Sequence, residues 1–152
     1  MNVRQSSFKE YYEQLVPLVE AHGAEILTSP LDKSLKFEPN YDLYGLLEDM
    51  KTLVATGLFT DDDELVGYIC IFVYQHPHHK GIRFASGDSF YIKPEYRGMG
   101  TFALLMKETE VILRDKYGVS YLQLSSHDTH DISGPLSRIG YVLTEKVFVK
   151  KL

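Results

Sequence analysis

The chain has 152 residues, the size of one ordinary domain with a real core. It is 44% hydrophobic and 24% charged, with net charge -5, which reads as a soluble globular protein and excludes the basic footprint of a nucleic-acid groove. Its apolar runs are too short for a bilayer span of about 20 residues, "MNVRQSSFKEYYEQ" has no signal-peptide core, and the lone Cys70 excludes an internal disulfide. These features lead us to expect a cytoplasmic single domain over 1–152 that binds neither nucleic acid nor membrane.

In chain order, "FKEYYEQLVPLVEAHG" carries Phe8, Tyr12, Leu15 and Val19 at roughly helical spacing, with Pro17 expected to kink or interrupt it. "TSPLDKSLKFEP" reads as a loop, and "NYDLYGLLEDM" as a short helix with Asn40 as N-cap. "TLVATGLFT" and "ELVGYICIFVYQ" are strands joined by the hairpin signal "DDDE". The second is apolar almost throughout, so it belongs at the centre of a sheet covered on both faces, with Cys70 as a small buried residue. "HPHHKG" turns into "IRFASGDSFYIK", a strand broken locally at Gly87. "GTFALLMKETEVILRDKYG" is the clearest helix, with Phe102, Leu105, Met106, Thr109, Ile112 and Leu113 on one face and Gly118 at its end. A strand "VSYLQLSS", a short helix or turn "DISGPLSRIG" and a closing strand "YVLTEKVFVKKL" complete the order α-α-β-β-β-α-β-α-β. The strand–helix–strand from Asp88 to Ser126 predicts a right-handed parallel crossover in a mixed α/β (α+β) sheet.

Between that strand and its helix lies "RGMG". A helix start presents amides without internal partners at the positive end of the macrodipole, and Gly98 and Gly100 would let an anion approach the backbone. The same glycines also suit a plain turn. "GMGTFA" fits the dinucleotide fingerprint G-x-G-x-x-A, but "PEYR" separates strand from glycines and the next strand ends without a carboxylate. His76, His78 and His79 in "HPHH" lack a patterned Cys or carboxylate partner, so they read as a solvated turn and no metal site is expected.

The stretch "FYIKPEYRGMGTFALLM" resembles the acyl-CoA-binding motif of the GNAT superfamily of N-acetyltransferases. Arg97, Gly98 and Gly100 match its pattern, whereas Phe102 stands where a small residue is usual. "LSRIGY" resembles the superfamily's late segment. "EAHGAEI", "FEPNYDLY", "ELVGY", "YQHPHH", "HDISGPLSRIGY" and "VFVKKL" look like a narrower phage- and prophage-encoded group. The resemblance implies a GNAT fold: a mixed, mostly antiparallel sheet with helices on both faces and a V-shaped splay between two central parallel strands, Asp88–Lys93 and Tyr121–Ser125.

It further implies acetyl-CoA as co-substrate. Backbone groups of Phe90, Tyr91 and Ile92 would hold its pantetheine arm, and amides of Arg97, Gly98, Met99, Gly100, Thr101 and Phe102 its pyrophosphate. A primary amine, on a small molecule or on a protein lysine or N-terminus, would attack the thioester directly. Asp88 stands where some members carry a catalytic Glu. It is two residues before Phe90 and four before Ile92, so all three are expected on one strand face. It reads either as a general base working through water or as a bulge residue after Gly87. The superfamily's frequent Tyr four residues before the late glycine is Leu136 here. His127, His130 and Ser137 are nearby substitutes or plain loop residues. The first two helices imply an acceptor side, with His22, Glu25, Asp42 and Tyr44 as its polar candidates, each of which also suits a surface or capping role. An alternative is a non-catalytic GNAT-fold protein that binds CoA or a partner. An exposed closing strand would also permit a homodimer.

Overall fold

The computed structural model describes residues 1–27, 36–98, 100–127 and 130–151. Five strands form one sheet in the order β1 (Asn2–Gln5), β2 (Leu53–Phe59), β3 (Leu65–Gln75), β4 (Arg83–Ile92) and β5 (Val119–Gln123). The first four pair antiparallel, and β4 pairs β5 in parallel. Helix α3 (Thr101–Tyr117) makes the β4–β5 crossover. The remaining helices are α1 (Tyr12–Ile26), α2 (Tyr41–Asp49) and α4 (Ser133–Arg138). No helix among the described residues is long and apolar enough to cross a membrane.

Alternation along the central strand divides the core in two. Ile69, Ile71 and Val73 face Leu105, Met106 and Leu113 of α3. Tyr68, Cys70 and Phe72 face the opposite cluster, with Leu15, Leu18 and Val19 of α1 and, around it, Tyr44 and Leu47 of α2. A strand buried on both faces reads as a nearly continuous apolar run, as "LVGYICIFV" does. Asn40 caps α2 by accepting from the amide of Leu43 at 3.0 Å. Gly118 ends α3 in the left-handed conformation at φ 64°.

Several expectations need correction. Asn2–Gln5 forms an edge strand that its single valine gave no reason to expect; there Arg4 lies over the Phe59 ring at 3.7 Å and pairs with Asp63. Phe8 sits before α1 rather than on its face. Its amide donates to both Glu48 carboxylate oxygens (2.9 and 3.1 Å), and its ring stacks on Tyr44. Pro17 does not interrupt α1, which runs through it to Ile26. Most of the "TSPLDKSLKFEP" loop, 28–35, lies outside the described residues. The closing strand is not formed: residues 141–151 carry no strand pairing, and Val142, Leu143, Val147, Phe148 and Val149 are 66–90% exposed.

One polar pair crosses the core. The hydroxyls of Thr56 on β2 and Thr109 on α3, both fully buried, are hydrogen-bonded at 2.6 Å. Removing one partner leaves the other buried without it, which costs about 1–3 kcal/mol. We expect Thr56→Val to lower the stability measured by urea denaturation by that amount. The Thr56→Val/Thr109→Val pair should lose less than the sum of the two single changes.

Candidate active site

Strands β3 and β4 keep register from Gln75↔Arg83 to Ile71↔Gly87, and resume at Cys70↔Ser89. Asp88 is therefore the extra residue of a β-bulge. The insertion inverts the side-chain phase of β4. Ala85 and Ile92, seven residues apart, both belong to the α3-side cluster, which strict alternation forbids. Phe90 packs on that same side, whereas the charge of Asp88 acts on Tyr44, Tyr68 and Cys70 on the opposite side. The expectation that Asp88, Phe90 and Ile92 share one face is thus overturned, because the bulge turns Asp88 toward α1 and α2.

The bulge also ends the parallel pairing. β5 accompanies β4 from Arg83↔Val119 to Ser86↔Gln123 and no further, although β4 continues to Ile92. Past Ser86 the two strands fork. At the fork a Cβ on Gly87 would meet Leu124 Cδ2 at 2.4 Å, so only glycine lets Leu124 pack there. The β4 backbone beyond the fork has no β5 partner on that edge.

A 3₁₀ turn, Pro94–Tyr96, leads from β4 into the glycine loop. Gly98 (φ 92°) and Gly100 (φ 79°) are both left-handed, and the space a Cβ would take at either is open among the described residues. No side chain caps α3. Thr101 instead turns its hydroxyl back to the carbonyls of Tyr96 and Gly98, at 2.7 and 2.8 Å, which fixes the loop from inside. Met99 lies outside the described residues. The uncapped helix start and open glycines fit a pyrophosphate held by backbone amides. Phe102 does not displace the helix start: its ring packs against Phe90 at 5.5 Å, on the core side.

Arg97 is already engaged. Its Nε donates to the carbonyl of Ile92 at 2.7 Å, and its two terminal nitrogens donate to the Glu25 carboxylate at 2.9 and 2.6 Å. Those bonds hold Glu25 below the usual carboxylate range. The loop is thereby tied to the last turns of α1.

The family model for the GNAT acetyltransferases matches residues 20–141. The chain belongs to that family. Three solved structures share the GNAT fold with it. A ribosomal-protein-alanine N-acetyltransferase from Brucella melitensis biovar Abortus 2308 is 16% identical with TM-score 0.70, each chain covered over 100%. An aminoglycoside acetyltransferase from an uncultured soil metagenomic sample, in complex with sisomicin, is 12% identical with TM-score 0.75, over 99% of this chain and 95% of that one. A transcriptional regulator from Bacillus halodurans is 15% identical with TM-score 0.75, over 99% of both chains. A search of curated proteins found no significant match.

Against the GNAT pattern, the structure brings some sequence candidates together and separates others. Asp88 lies at the bulge, solvent-accessible yet hemmed in enough that desolvation raises its pKa, with a hydrogen bond from Ser89 opposing the rise. Tyr44 is half-buried, and burial with the nearby Asp88 charge pushes it up to about 12. His22 and Glu25 gather with Arg97 at the end of α1, whereas Asp42 is exposed in the first turn of α2. Leu136 is buried, so the position of the usual tyrosine is filled by a core contact. Ser89 and Tyr68 were missed as neighbours of Asp88. For Tyr68 the available signal was a hydroxyl inside an otherwise apolar strand; Ser89, in a strand that also holds Arg83, Ser86 and Asp88, carried none.

The ring Nδ1 of His22 is hydrogen-bonded to the Tyr68 hydroxyl at 3.0 Å. Burial holds His22 down at about 4, with the Arg97 and His130 charges acting the same way and Glu25 opposing. Between its ordinary value of 6.5 and about 4, the unfolded chain binds a proton here that the native state refuses. His22 therefore favours folding less and less as pH falls through that window, and exacts no penalty above it. We expect the melting temperature of His22→Gln to fall less steeply from pH 6.5 to pH 4 than that of the unmodified protein, measured by scanning calorimetry.

Proposed function

We propose that this single-domain GNAT protein, spanning 1–152, is an acetyl-CoA-dependent N-acetyltransferase acting on a primary amine of a small molecule or of a protein lysine or N-terminus. The observation that carries the reading is the fork between β4 and β5, which opens beside an uncapped helix start with two left-handed glycines. When bound, acetyl-CoA supplies a thioester carbonyl that an amine attacks without any protein nucleophile. The β4 backbone at Phe90, Tyr91 and Ile92, which has no β5 partner, orients the arm that enters the fork. Amides from Gly98 to Phe102 hold the diphosphate, aided by the α3 dipole. Arg97, committed to Glu25 and Ile92, shapes the loop rather than supplying an unpaired cation.

Asp88, working through water, accepts the proton that the acceptor ammonium must lose before its nitrogen can attack the thioester. Its raised pKa makes it a better base than an ordinary aspartate, and general bases contribute about 10²–10⁴-fold. Tyr44 and His22 border the acceptor side with Asp88. With Leu136 buried, the departing thiolate takes its proton from solvent or from the histidines of the 127–130 segment. The sequence segments that resemble phage- and prophage-encoded members support a place in that group.

A second reading, coenzyme binding without transfer, is favoured by Leu136 alone. Acetyl-CoA and CoA, but not NAD, should raise the melting temperature by several degrees at saturation. Failure of both to do so removes the reading. In a CoA-release assay over an amine panel, Asp88→Asn should lower kcat at least about 10²-fold, with KM for acetyl-CoA unchanged. An unaltered rate removes Asp88 as the base. Coenzyme binding with no release for any amine leaves the second reading standing.

A further inference from the structure

One carboxylate joins the two arms of the fork. On the β4 arm, Arg97 bonds the carbonyl of Ile92 through Nε and Glu25 through both terminal nitrogens, and its guanidinium lies over the Tyr91 ring at 5.3 Å. On the other arm the chain runs past β5 to Ser126 and turns. The Ser126 hydroxyl donates to Asp131 Oδ1 at 3.0 Å and accepts from the Ile132 amide at 2.9 Å, which pins the turn to the end of that arm. The turn carries His130, whose Nε2 lies 3.8 Å from Glu25 Oε1. Glu25, on α1, therefore meets a nitrogen group from each side of the fork.

Two imidazoles come to this point, and their surroundings set them apart. His22, one turn earlier on α1, has Nδ1 bonded to the Tyr68 hydroxyl at 3.0 Å, and its ring packs on Tyr91 at 5.7 Å. Burial holds it down at about 4, so at neutral pH it has no extra proton to give. The His130 side chain is 37% exposed and stands beside a carboxylate that Arg97 keeps charged. An imidazole beside a fixed negative charge and within reach of water is a proton donor that reloads after each turnover. Contrasting environments of this kind separate a working acid from its neighbour. Placement agrees with the chemistry. Tyr91, under the cluster, is the middle of the three β4 residues read above as holding the coenzyme arm.

We propose that His130 is the general acid of this site and that Glu25 is its positioning residue, tying the acid to the arginine that shapes the coenzyme loop. The inference rests on the acetyl-transfer reading of the fork. As the amine nitrogen bonds the carbonyl carbon, the carbon–sulfur bond breaks and its electron pair goes to sulfur. His130, charged at that moment, gives its Nδ1 proton to the sulfur while Nε2–H stays directed at Glu25. The acetylated amine, the free thiol and a neutral imidazole result, and the ring regains its proton from water. The titratable and charged groups around it are Glu25 and His22 of α1, Arg97 of the glycine loop and His127 of its own turn. His130 thus supplies the proton that the buried Leu136 has no group to give.

Bound CoA reports on the acid without turnover. A protonated His130 beside the sulfur favours the thiolate, whose ultraviolet absorbance differs from that of the thiol. At pH 7 the full chain with CoA should show that absorbance. His130→Gln should lose it while CoA still raises the melting temperature. The same absorbance in both proteins, or none in either, overturns the proposal and leaves the coenzyme reading intact. If CoA raises the melting temperature of neither, the coenzyme reading falls and this one with it. In turnover with an amine from the panel, His130→Gln should lower kcat about 10²-fold and abolish its decline at alkaline pH, with KM for acetyl-CoA little changed. An unaltered alkaline limb overturns His130 as the acid. Glu25→Gln should keep that limb and move it to lower pH, and a limb that stays in place overturns the positioning role.

Discussion

One residue too many in β4 organises this molecule. Asp88 is opposed by nothing on β3, and its insertion sets three features at once. It inverts the facing of the strand, so that Phe90 and Ile92 reach α3 while Asp88 reaches α1 and α2. It stops the parallel ladder at Ser86↔Gln123, which opens the fork. It also places the only carboxylate of β4 at the rim of the aromatic layer formed by Tyr44 and Tyr68. A regular strand with the same side chains would have closed against β5 and buried or exposed them as one set. Bulges next to active sites commonly re-aim a side chain in this way.

The rest of the fold holds that irregularity rigid. β3, apolar on both faces, packs between α3 and the α1/α2 layer, so the bulge is backed by dense core rather than by loops. The α1 helix is fastened to the glycine loop through Glu25 and Arg97, and that loop to the end of β4 through the carbonyl of Ile92. The end of α1, the glycine loop and the end of β4 are thus parts of one bonded frame.

Much of this was legible in the amino acids, for reasons that differ by residue. The continuous apolar run around "YICIFV", the Asn40 cap and the glycine after Tyr117 are local signals that depend only on nearby chain, and all three hold. The glycine loop was legible because backbone conformation alone explains it. What failed depended on distant partners. β1 exists because β2 offers an edge to an otherwise weak strand former. The bonding of Arg97 to Glu25 spans 72 residues, and no spacing rule reaches that far. The bulge reading of Asp88 was open to the sequence through Gly87, and the register bears it out; its face was misjudged because the count along the strand assumed unbroken parity. The closing segment has the composition of a strand and no partner strand among the described residues, so composition gave the right propensity and the wrong outcome.

Cys70 supplies one more consequence. The single thiol of the chain lies in the middle of β3, fully buried, with burial raising its pKa, and its strand neighbour across the sheet is Ser89, beside the bulge. A thiol so placed is inert toward alkylating reagents while the sheet is closed, and reacts only when β3 and β4 part. The molecule therefore carries its own reporter, with no label added. The rate at which Cys70 is modified in native conditions measures how often the sheet opens at the residue on which its working geometry turns.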